Sequence, residues 1–144
     1  MRYRADHWIR SADHRQALAC YFGQQGKAYS RVKNLFIREM MGDLTGKRLL
    51  DYGCGAGLFV VDAAKNGAQR AVGVDAEQAV LSTAAYHAER EGVAGRCEWL
   101  SDDRFSCSGG EAGFDVILLK DVVEHVEDDE GLLAGLRPCL APGG

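Results

Sequence analysis

Three glycines at alternate positions constrain the fold of this chain more than any other feature of its sequence. Positions 49–58 read LLDYGCGAGL, so apolar residues and one acidic residue lead directly into the glycines. Glycine adopts backbone angles that other residues avoid, and it lets another molecule lie against the main chain. A strand that ends at such a turn and continues as a helix forms a cradle for a nucleoside-like ligand. The alternative is a glycine-rich strand–helix turn that binds nothing.

The spacing of these glycines argues against a nicotinamide or flavin cofactor. The dinucleotide-binding fingerprint has the form G-x-G-x-x-G. Its third glycine would fall at position 58, where this chain has Leu58. The observed pattern is G-x-G-x-G, which disfavours a nicotinamide-dependent oxidoreductase but leaves it as an alternative.

Length and composition indicate one globular domain with a hydrophobic core. The chain has 144 residues, of which 47% are hydrophobic and 26% charged, and these values exclude a disordered protein. No apolar stretch approaches the roughly 20 residues that a membrane-spanning helix needs. The sequence also lacks a basic and then apolar signal segment at its start. We therefore expect no membrane span and a cytoplasmic location.

The cysteines are scattered along the chain and form no C-x-x-C pair. This spacing predicts neither a zinc site nor a disulfide framework, and it favours a reducing compartment. The five positions are Cys20, Cys54, Cys97, Cys107 and Cys139.

Charge is distributed unevenly between the two parts of the chain. Residues 1–50 carry ten Lys or Arg against four Asp or Glu, whereas residues 51–144 carry seven against seventeen. A basic segment of this kind either attracts an anionic partner or packs against the acidic remainder. We favour packing, and nucleic-acid binding is not expected.

The order of predicted elements indicates an α/β fold. Two helices, at 6–22 and 29–41, form an N-terminal helical cap segment over residues 1–45. Strands and helices then alternate through residues 46–144, which predicts a mostly parallel sheet with helices on both faces. The predicted strands are 47–51, 70–74, 96–100 and 114–119, and the predicted helices between and after them are 58–66, 77–91 and 128–136.

Ligands of parallel α/β sheets bind beyond the carboxyl ends of the strands. Four features of this sequence follow strands and should therefore converge: the glycine turn, Asp75, Asp102 with Asp103, and the segment after Leu119. An acidic side chain at the end of the second strand accepts hydrogen bonds from both hydroxyls of a ribose. The alternative for Asp75 is an exposed carboxylate that stabilises the start of the following helix.

Residues 47–144, and the glycine motif in particular, resemble the Rossmann-like class I S-adenosylmethionine-dependent methyltransferases. The resemblance implies a Rossmann-like three-layer sandwich and S-adenosylmethionine or S-adenosylhomocysteine as the cofactor. It assigns Asp51 to the methionine end, Asp75 to the ribose, Asp102 in preference to Asp103 to the adenine amino group, and Cys54 to filling space as a neutral side chain. The implied cofactor-binding residues are Asp51, Gly53, Cys54, Gly55, Gly57, Asp75, Ala76, Asp102, Asp103 and Lys120.

Positions 119–126 read LKDVVEHV, a run most similar to the ubiquinone-biosynthesis O-methyltransferases. Three roles remain open for it. Glu124 and His125 either fix the loop by hydrogen bonds or take part in catalysis, with His125 as general base near neutral pH. If Asp121, Glu124 and His125 lie on one face of a helical turn, they form a weaker candidate for a divalent cation site.

The resemblance also implies more sheet than this sequence provides. The final positions, 136–144, are similar to a shared motif that leads into a fifth strand, so the chain looks C-terminally truncated. An unpaired fourth strand would be a hydrophobic sheet edge, and a dimer through residues 116–119 would cover it. The predicted function is methyl transfer to an oxygen of a small-molecule acceptor. A non-catalytic S-adenosylmethionine-binding module is the main alternative.

Overall fold

The computed structural model describes residues 4, 6–107 and 113–144. In these residues two N-terminal helices precede alternating strands and helices. The elements are α1 (His14–Gln25), α2 (Ala28–Met41), β1 (Arg48–Tyr52), α3 (Leu58–Lys65), β2 (Arg70–Asp75), α4 (Gln78–Arg90), β3 (Cys97–Ser101), β4 (Val116–Leu118) and α5 (Asp129–Leu136). Short 3₁₀ turns occur at Trp8–Arg10, Ala94–Arg96, Val123–His125 and Arg137–Cys139.

The four strands form one parallel sheet in the order β3-β2-β1-β4, which confirms the predicted α/β architecture. The register pairs Asp51 with Gly73 on one side and Leu118 on the other, and it pairs Asp75 with Ser101. The carboxyl ends of all four strands therefore meet at one edge of the sheet. This is the edge at which sequence analysis places the ligand.

Two hydrophobic clusters cover the two faces of the sheet and complete three layers. One cluster joins Leu49 of β1 to side chains of α1, α3 and α4. The other joins Leu50, Val72 and Val74 to Leu136 of α5. Adjacent residues of one strand thus point to opposite cores, as expected for a strand that is buried on both faces.

The basic N-terminal segment packs against the acidic remainder of the chain, as favoured from the charge pattern. Arg10 pairs with Glu77 at 2.9 Å, Lys33 pairs with Asp121 at 2.7 Å, and Arg38 pairs with Asp62. On the outward side of α2 five large apolar side chains are exposed. They are Tyr29, Val32, Leu35, Phe36 and Met40.

Some element boundaries differ from the prediction because side chains end or cap them locally. The first predicted helix divides into the 3₁₀ turn Trp8–Arg10 and α1, since Asp13 accepts a hydrogen bond from the Gln16 amide at 3.0 Å and caps the start of α1. β4 begins two residues later than predicted. Phe114 instead forms a parallel bridge with Leu140.

The expectation of no disulfide is wrong for one pair of cysteines. Cys107 and Cys139 are disulfide-bonded, with Cα atoms 5.1 Å apart and a sequence separation of 32. A pairing of this kind depends on how two distant loops meet, which cysteine spacing alone does not encode. Among the residues described, no helix is long and apolar enough to cross a membrane.

Candidate functional site

The glycine turn joins β1 to α3 in a backbone conformation that favours glycine. Gly53, Gly55 and Gly57 have φ angles of 83°, 54° and 80°. The amides of Gly53 and Cys54 both donate to the carbonyl of Val74, at 2.7 and 3.0 Å, and so fasten the turn to the end of β2. Gly53 and Gly55 are half-buried, so their backbone lies at the surface of the site.

Gly57 has a packing reason to be glycine besides its predicted place at the cofactor. It is buried, and a Cβ atom added to it would lie 2.5 Å from Cη2 of Trp99. Gly73 is also held close to Trp99, because its added Cβ would lie 2.7 Å from the indole ring. These two glycines make room for the packing of Trp99 of β3 against the turn.

Asp75 ends β2 and binds the glycine turn directly. One carboxylate oxygen accepts the Gly55 amide hydrogen at 3.0 Å, and the other accepts the Glu77 amide hydrogen at 3.0 Å. Partial burial raises the pKa of Asp75, and the two backbone hydrogen bonds oppose that increase. The predicted neighbour Ala76 is exposed next to it. The carboxylate is therefore fixed by backbone donors at the edge where β1 and β2 end.

Asp51 is a buried carboxylate without a complete set of partners. Its side chain is 2% exposed, and its Oδ1 atom has no hydrogen-bond partner among the described residues. Burial raises the pKa of Asp51 to about 7, and the positive charge of Lys120 opposes this increase. A buried carboxyl group with a strongly perturbed pKa at the carboxyl end of a parallel strand is a candidate functional residue.

Tyr21 and Cys54 pack around the same turn from the side of α1. The Tyr21 ring would contact a Cβ atom added to Gly55 at 3.5 Å, and burial together with the Asp51 charge raises the pKa of its hydroxyl. Tyr21 was not among the predicted site residues. Burial also raises the pKa of the Cys54 thiol, so this side chain is neutral, which is consistent with its predicted role as a filler.

The loop after β3, here the β3 loop (residues 102–107), brings the predicted Asp102 beside Asp75. The Asp102 amide donates to the carbonyl of Asp75 at 3.2 Å. Tyr52, at the end of β1, stacks edge-on against Phe105 with ring centroids 6.0 Å apart. Burial raises the pKa of the Tyr52 hydroxyl, and the charges of Asp102 and Asp75 raise it further. Asp102 and Asp103 are both exposed, and it is Asp102 whose backbone is joined to Asp75.

Sequence reasoning missed Tyr52 although a signal was present. It stands between Asp51 and the first glycine, at the last position of β1. A residue at the carboxyl end of a parallel strand lies at the ligand-binding edge regardless of its type.

The segment after β4 (residues 119–126) lies next to the glycine turn, and ion pairs hold it in place. Asp121 accepts hydrogen bonds from Lys33 at 2.7 and 2.9 Å and from Lys120 at 2.7 Å. Partial burial raises the pKa of Asp121, but these two ammonium groups outweigh it and lower the pKa overall. The side chain of Val122 lies over Gly53, where it would collide with an added Cβ atom. The segment therefore touches the turn through Val122.

The structure does not bring the three predicted metal ligands onto one helical face. Asp121 has a left-handed φ of 58° and lies outside the 3₁₀ turn Val123–His125. Its carboxylate faces two lysines instead. Within residues 6–107 and 113–144 no group of three His, Cys, Asp or Glu side chains is placed to hold a metal ion. Glu124 and His125 are exposed on the turn, where an acceptor molecule could reach them.

Comparison with known proteins agrees with the fold and with the resemblance. A family model described as a methyltransferase domain matches residues 49–144. The chain is 34% identical over 110 residues to a ubiquinone biosynthesis O-methyltransferase from Acinetobacter baylyi, covering 76% of this chain and 45% of that protein. It is 39% identical over 111 residues to the protein of the same description from Cereibacter sphaeroides, covering 76% and 44%. The chain spans less than half the length of these curated relatives.

Two solved structures extend this agreement to three dimensions. An S-adenosylmethionine-dependent methyltransferase from Mesorhizobium loti superposes with a TM-score of 0.66 at 25% identity, covering 83% of this chain and 52% of that one. A methyltransferase from Thiobacillus denitrificans, in complex with S-adenosylhomocysteine, superposes with a TM-score of 0.56 at 26% identity, covering 69% and 40%.

Proposed function

Because the chain belongs to the methyltransferase domain family, we propose that its glycine turn and neighbouring carboxylates bind S-adenosylmethionine. The proposed activity is transfer of the methyl group to an oxygen of a small molecule. The names of the ubiquinone biosynthesis O-methyltransferases support this choice of acceptor. The family match favours methyl transfer over the nicotinamide-dependent alternative.

One observation carries the assignment of the cofactor. The fixed carboxylate of Asp75 and the unpartnered, buried carboxylate of Asp51 flank the same glycine turn. Asp75 retains lone pairs that suit ribose hydroxyls, and Asp51 would accept hydrogen bonds from the ammonium group of the methionine end. The two ends of the ligand therefore find complementary partners on either side of Gly55.

The adenine would bind at the β3 loop. Asp102 offers an acceptor for the adenine amino group, and the rings of Tyr52 and Phe105 offer an apolar surface for the base. Asp102 is preferred to Asp103 because its backbone is hydrogen-bonded to Asp75. Gly57 stays a proposed neighbour of the cofactor, and its burial against Trp99 adds a packing role.

Bound S-adenosylmethionine supplies a methyl group made electrophilic by a positively charged sulfur. The protein's part is chiefly to hold the acceptor in line with that group, and such positioning contributes up to roughly 7–11 kcal/mol. His125, with Glu124 beside it, would remove the proton of the acceptor hydroxyl. Its exposed place on the turn after β4 and the contact of Val122 with Gly53 support this role.

The cofactor assignment is tested by calorimetric titration of the protein with S-adenosylhomocysteine and, separately, with NADH. We expect saturable binding of S-adenosylhomocysteine alone. Gly55→Val should abolish it, since the added side chain meets Tyr21 and fills the turn. Gly42→Val is the matched control, because Gly42 also has a positive φ of 66° but nothing within 4 Å of an added Cβ. Binding of NADH alone would reject the proposal.

The catalytic assignment needs a separate measurement, made on protein that methylates an oxygen acceptor such as a catechol. His125→Asn should lower the turnover rate by about 10²–10⁴-fold, the usual contribution of a general base, and should leave the affinity for S-adenosylhomocysteine unchanged. Addition of a chelator tests the weaker metal proposal for Asp121, Glu124 and His125. Undiminished turnover after chelation would eliminate the metal, and binding without any turnover would favour a non-catalytic module.

A dimer through residues 116–119 and a cytoplasmic location stay predictions. The bridge between Phe114 and Leu140 already occupies the start of the β4 edge, which leaves Val116–Leu118 for a second copy. Sedimentation analysis of the protein, with Ile117→Lys as the disrupting variant, checks the dimer.

A further inference from the structure

We propose that Cys107 and Cys139 are a reversible dithiol–disulfide pair whose oxidation fixes the β3 loop. The pair lies outside the glycine turn and outside the segment after β4. The effect of oxidation on cofactor binding rests on the proposed function. Its effect on the mobility of the β3 loop does not. The site is a redox modification site, and the reagent class that acts on it is a small disulfide such as glutathione disulfide.

The backbone places the two cysteines for a disulfide. Their Cα atoms are 5.1 Å apart, within the range of about 4.4–6.8 Å that disulfides require. Cys107 is half-buried at the end of the β3 loop, and Cys139 is 5% exposed in the 3₁₀ turn Arg137–Cys139. Cys107 is therefore the thiol that a small disulfide reaches first, and Cys139 is the one that resolves the mixed disulfide.

Cys139 provides a firm anchor for this bond. Its carbonyl accepts the Phe114 amide hydrogen at 2.7 Å, and the Ala141 amide donates back to Phe114 at 2.8 Å. The turn is thereby joined to the chain that leads into β4. A disulfide bond between Cys107 and Cys139 therefore restrains the end of the β3 loop at the edge of the sheet.

The β3 loop has less support of its own. An open groove of about 270 Å³ runs along part of its contact with α5, lined by Tyr52 and Phe105 on one side and by Leu132 and Leu136 on the other. A loop that borders a groove loses packing contacts that would otherwise hold it. The disulfide spans this weak contact, so its reduction should free the loop that carries Asp102 and Phe105.

The oxidation is a two-electron thiol–disulfide exchange that balances without a further reagent. The Cys107 thiolate attacks one sulfur of glutathione disulfide, forms a mixed disulfide and releases one glutathione thiolate. The Cys139 thiolate then attacks the Cys107 sulfur and releases the second. The two protons lost by the cysteines reside on the two glutathione molecules produced. Excess glutathione reverses both steps.

The first test measures the pair and the loop without any cofactor. The protein is equilibrated in glutathione buffers, quenched and denatured, and its free thiols are counted. The count should change from five to three, with Cys20, Cys54 and Cys97 remaining free. Oxidation should also slow trypsin cleavage after the exposed Arg104, which lies in the β3 loop. A rise of the melting temperature by about 5–10 °C should accompany it, because the bond restricts the unfolded chain.

Two variants make the test specific. Cys107→Ser should remove every effect of glutathione disulfide while leaving the reduced protein unchanged, and Cys139→Ala should do the same if the buried site accepts alanine. Cys20→Ser, which removes an exposed cysteine on α1, is the matched control and should leave the response intact. A thiol count that stays at five, or cleavage after Arg104 that is equally fast in both states, would overturn the proposal.

The second test links the pair to the ligand. S-adenosylhomocysteine should bind about three- to tenfold more tightly to the oxidised protein, because less loop freedom is lost on binding. Equal affinity in the two states would overturn the link between the pair and the site. Absence of binding in both states would instead reject the proposed cofactor, while the thiol count and the cleavage rate would still decide the redox pair.

Discussion

The glycine turn and the segment after β4 lie side by side at one edge of the sheet, yet they are stabilised in different ways. Backbone hydrogen bonds to Asp75 and Val74 hold the turn, and Trp99 packs behind it. Lysine–carboxylate ion pairs at the protein surface hold Asp121. The difference indicates that the glycine turn is held in place by the core, whereas the segment after β4 responds to solvent, salt and substitution of single surface residues.

The largest effect is expected from a substitution that disrupts the packing of Trp99 behind the glycine turn. Gly57→Val should destabilise the fold by about 3–5 kcal/mol, because the side chain collides with Trp99 and a left-handed backbone is itself strained. Gly42→Val, at a φ of 66° without neighbours, should cost only about 1–2 kcal/mol. Denaturant unfolding measures both. If Val is not tolerated at position 57, Gly57→Ala and Gly42→Ala provide the same comparison, and equal costs would reject the packing role of Gly57.

The next effect concerns the buried carboxyl group of Asp51, whose pKa is raised to about 7. Between about pH 4 and 7 the folded protein keeps a proton that the unfolded chain has lost, so stability should fall as pH rises through this window. Asp51→Asn should remove this dependence and stabilise the protein above pH 7 by up to roughly 4 kcal/mol. Unfolding measured from pH 4 to 8 checks the slope. The control variant Asp103→Asn, at an exposed position, should retain the pH dependence of stability.

An intermediate effect is expected for binding. Asp75→Ala should weaken the affinity for S-adenosylhomocysteine by about 10- to 150-fold, which corresponds to roughly 1.5–3 kcal/mol for a charged hydrogen-bonding group. Asp103→Ala should change it little, since Asp103 is exposed and follows the preferred Asp102. Calorimetric titration of the two variants decides between them. Equal losses of affinity in the two variants would mean that the Asp75 carboxylate has no special role in binding.

The smallest effect is expected in the segment after β4. Lys33→Met should destabilise the protein by at most about 1 kcal/mol, because the Lys33 and Asp121 side chains are 28% and 47% exposed. Asp121→Asn also removes the ion pair with Lys120, so it should cost more than Lys33→Met, and the double variant should cost no more than Asp121→Asn alone. The loss of stability caused by these variants should vanish at about 1 M salt, because the Debye length is then only about 3 Å. A loss that persists in salt would contradict the electrostatic account of this segment.

Sequence predicted those parts of the molecule that depend on local pattern. The apolar runs and the turn glycines determine β1, β2 and the helix α3 between them, and parallel strands necessarily bring Asp51, Asp75 and Asp102 to one edge. Tyr52 was accessible to the same reasoning because it ends β1. These features follow from periodicity and from the rule for carboxyl ends of strands.

The features that sequence did not predict depend on contacts between distant segments. The alternate spacing of glycines gives no sign that Gly57 faces Trp99, which lies 42 positions further along the chain. Likewise, the ion pair of Lys33 with Asp121 arises only when α2 packs near the end of β4. That contact engages the Asp121 carboxylate with lysine ammonium groups, which the spacing of Asp121, Glu124 and His125 does not predict.

The most direct test of the central claim is a titration of the ¹⁵N-labelled protein with S-adenosylhomocysteine, followed by amide chemical shifts. We predict that the largest shift changes fall on Gly53, Gly55, Ala76 and Asp102, and that the amides of α2 change little. Saturation of the titration with shifts confined to another surface, or the absence of any shift, would contradict the claim that this sheet edge binds the adenosyl group.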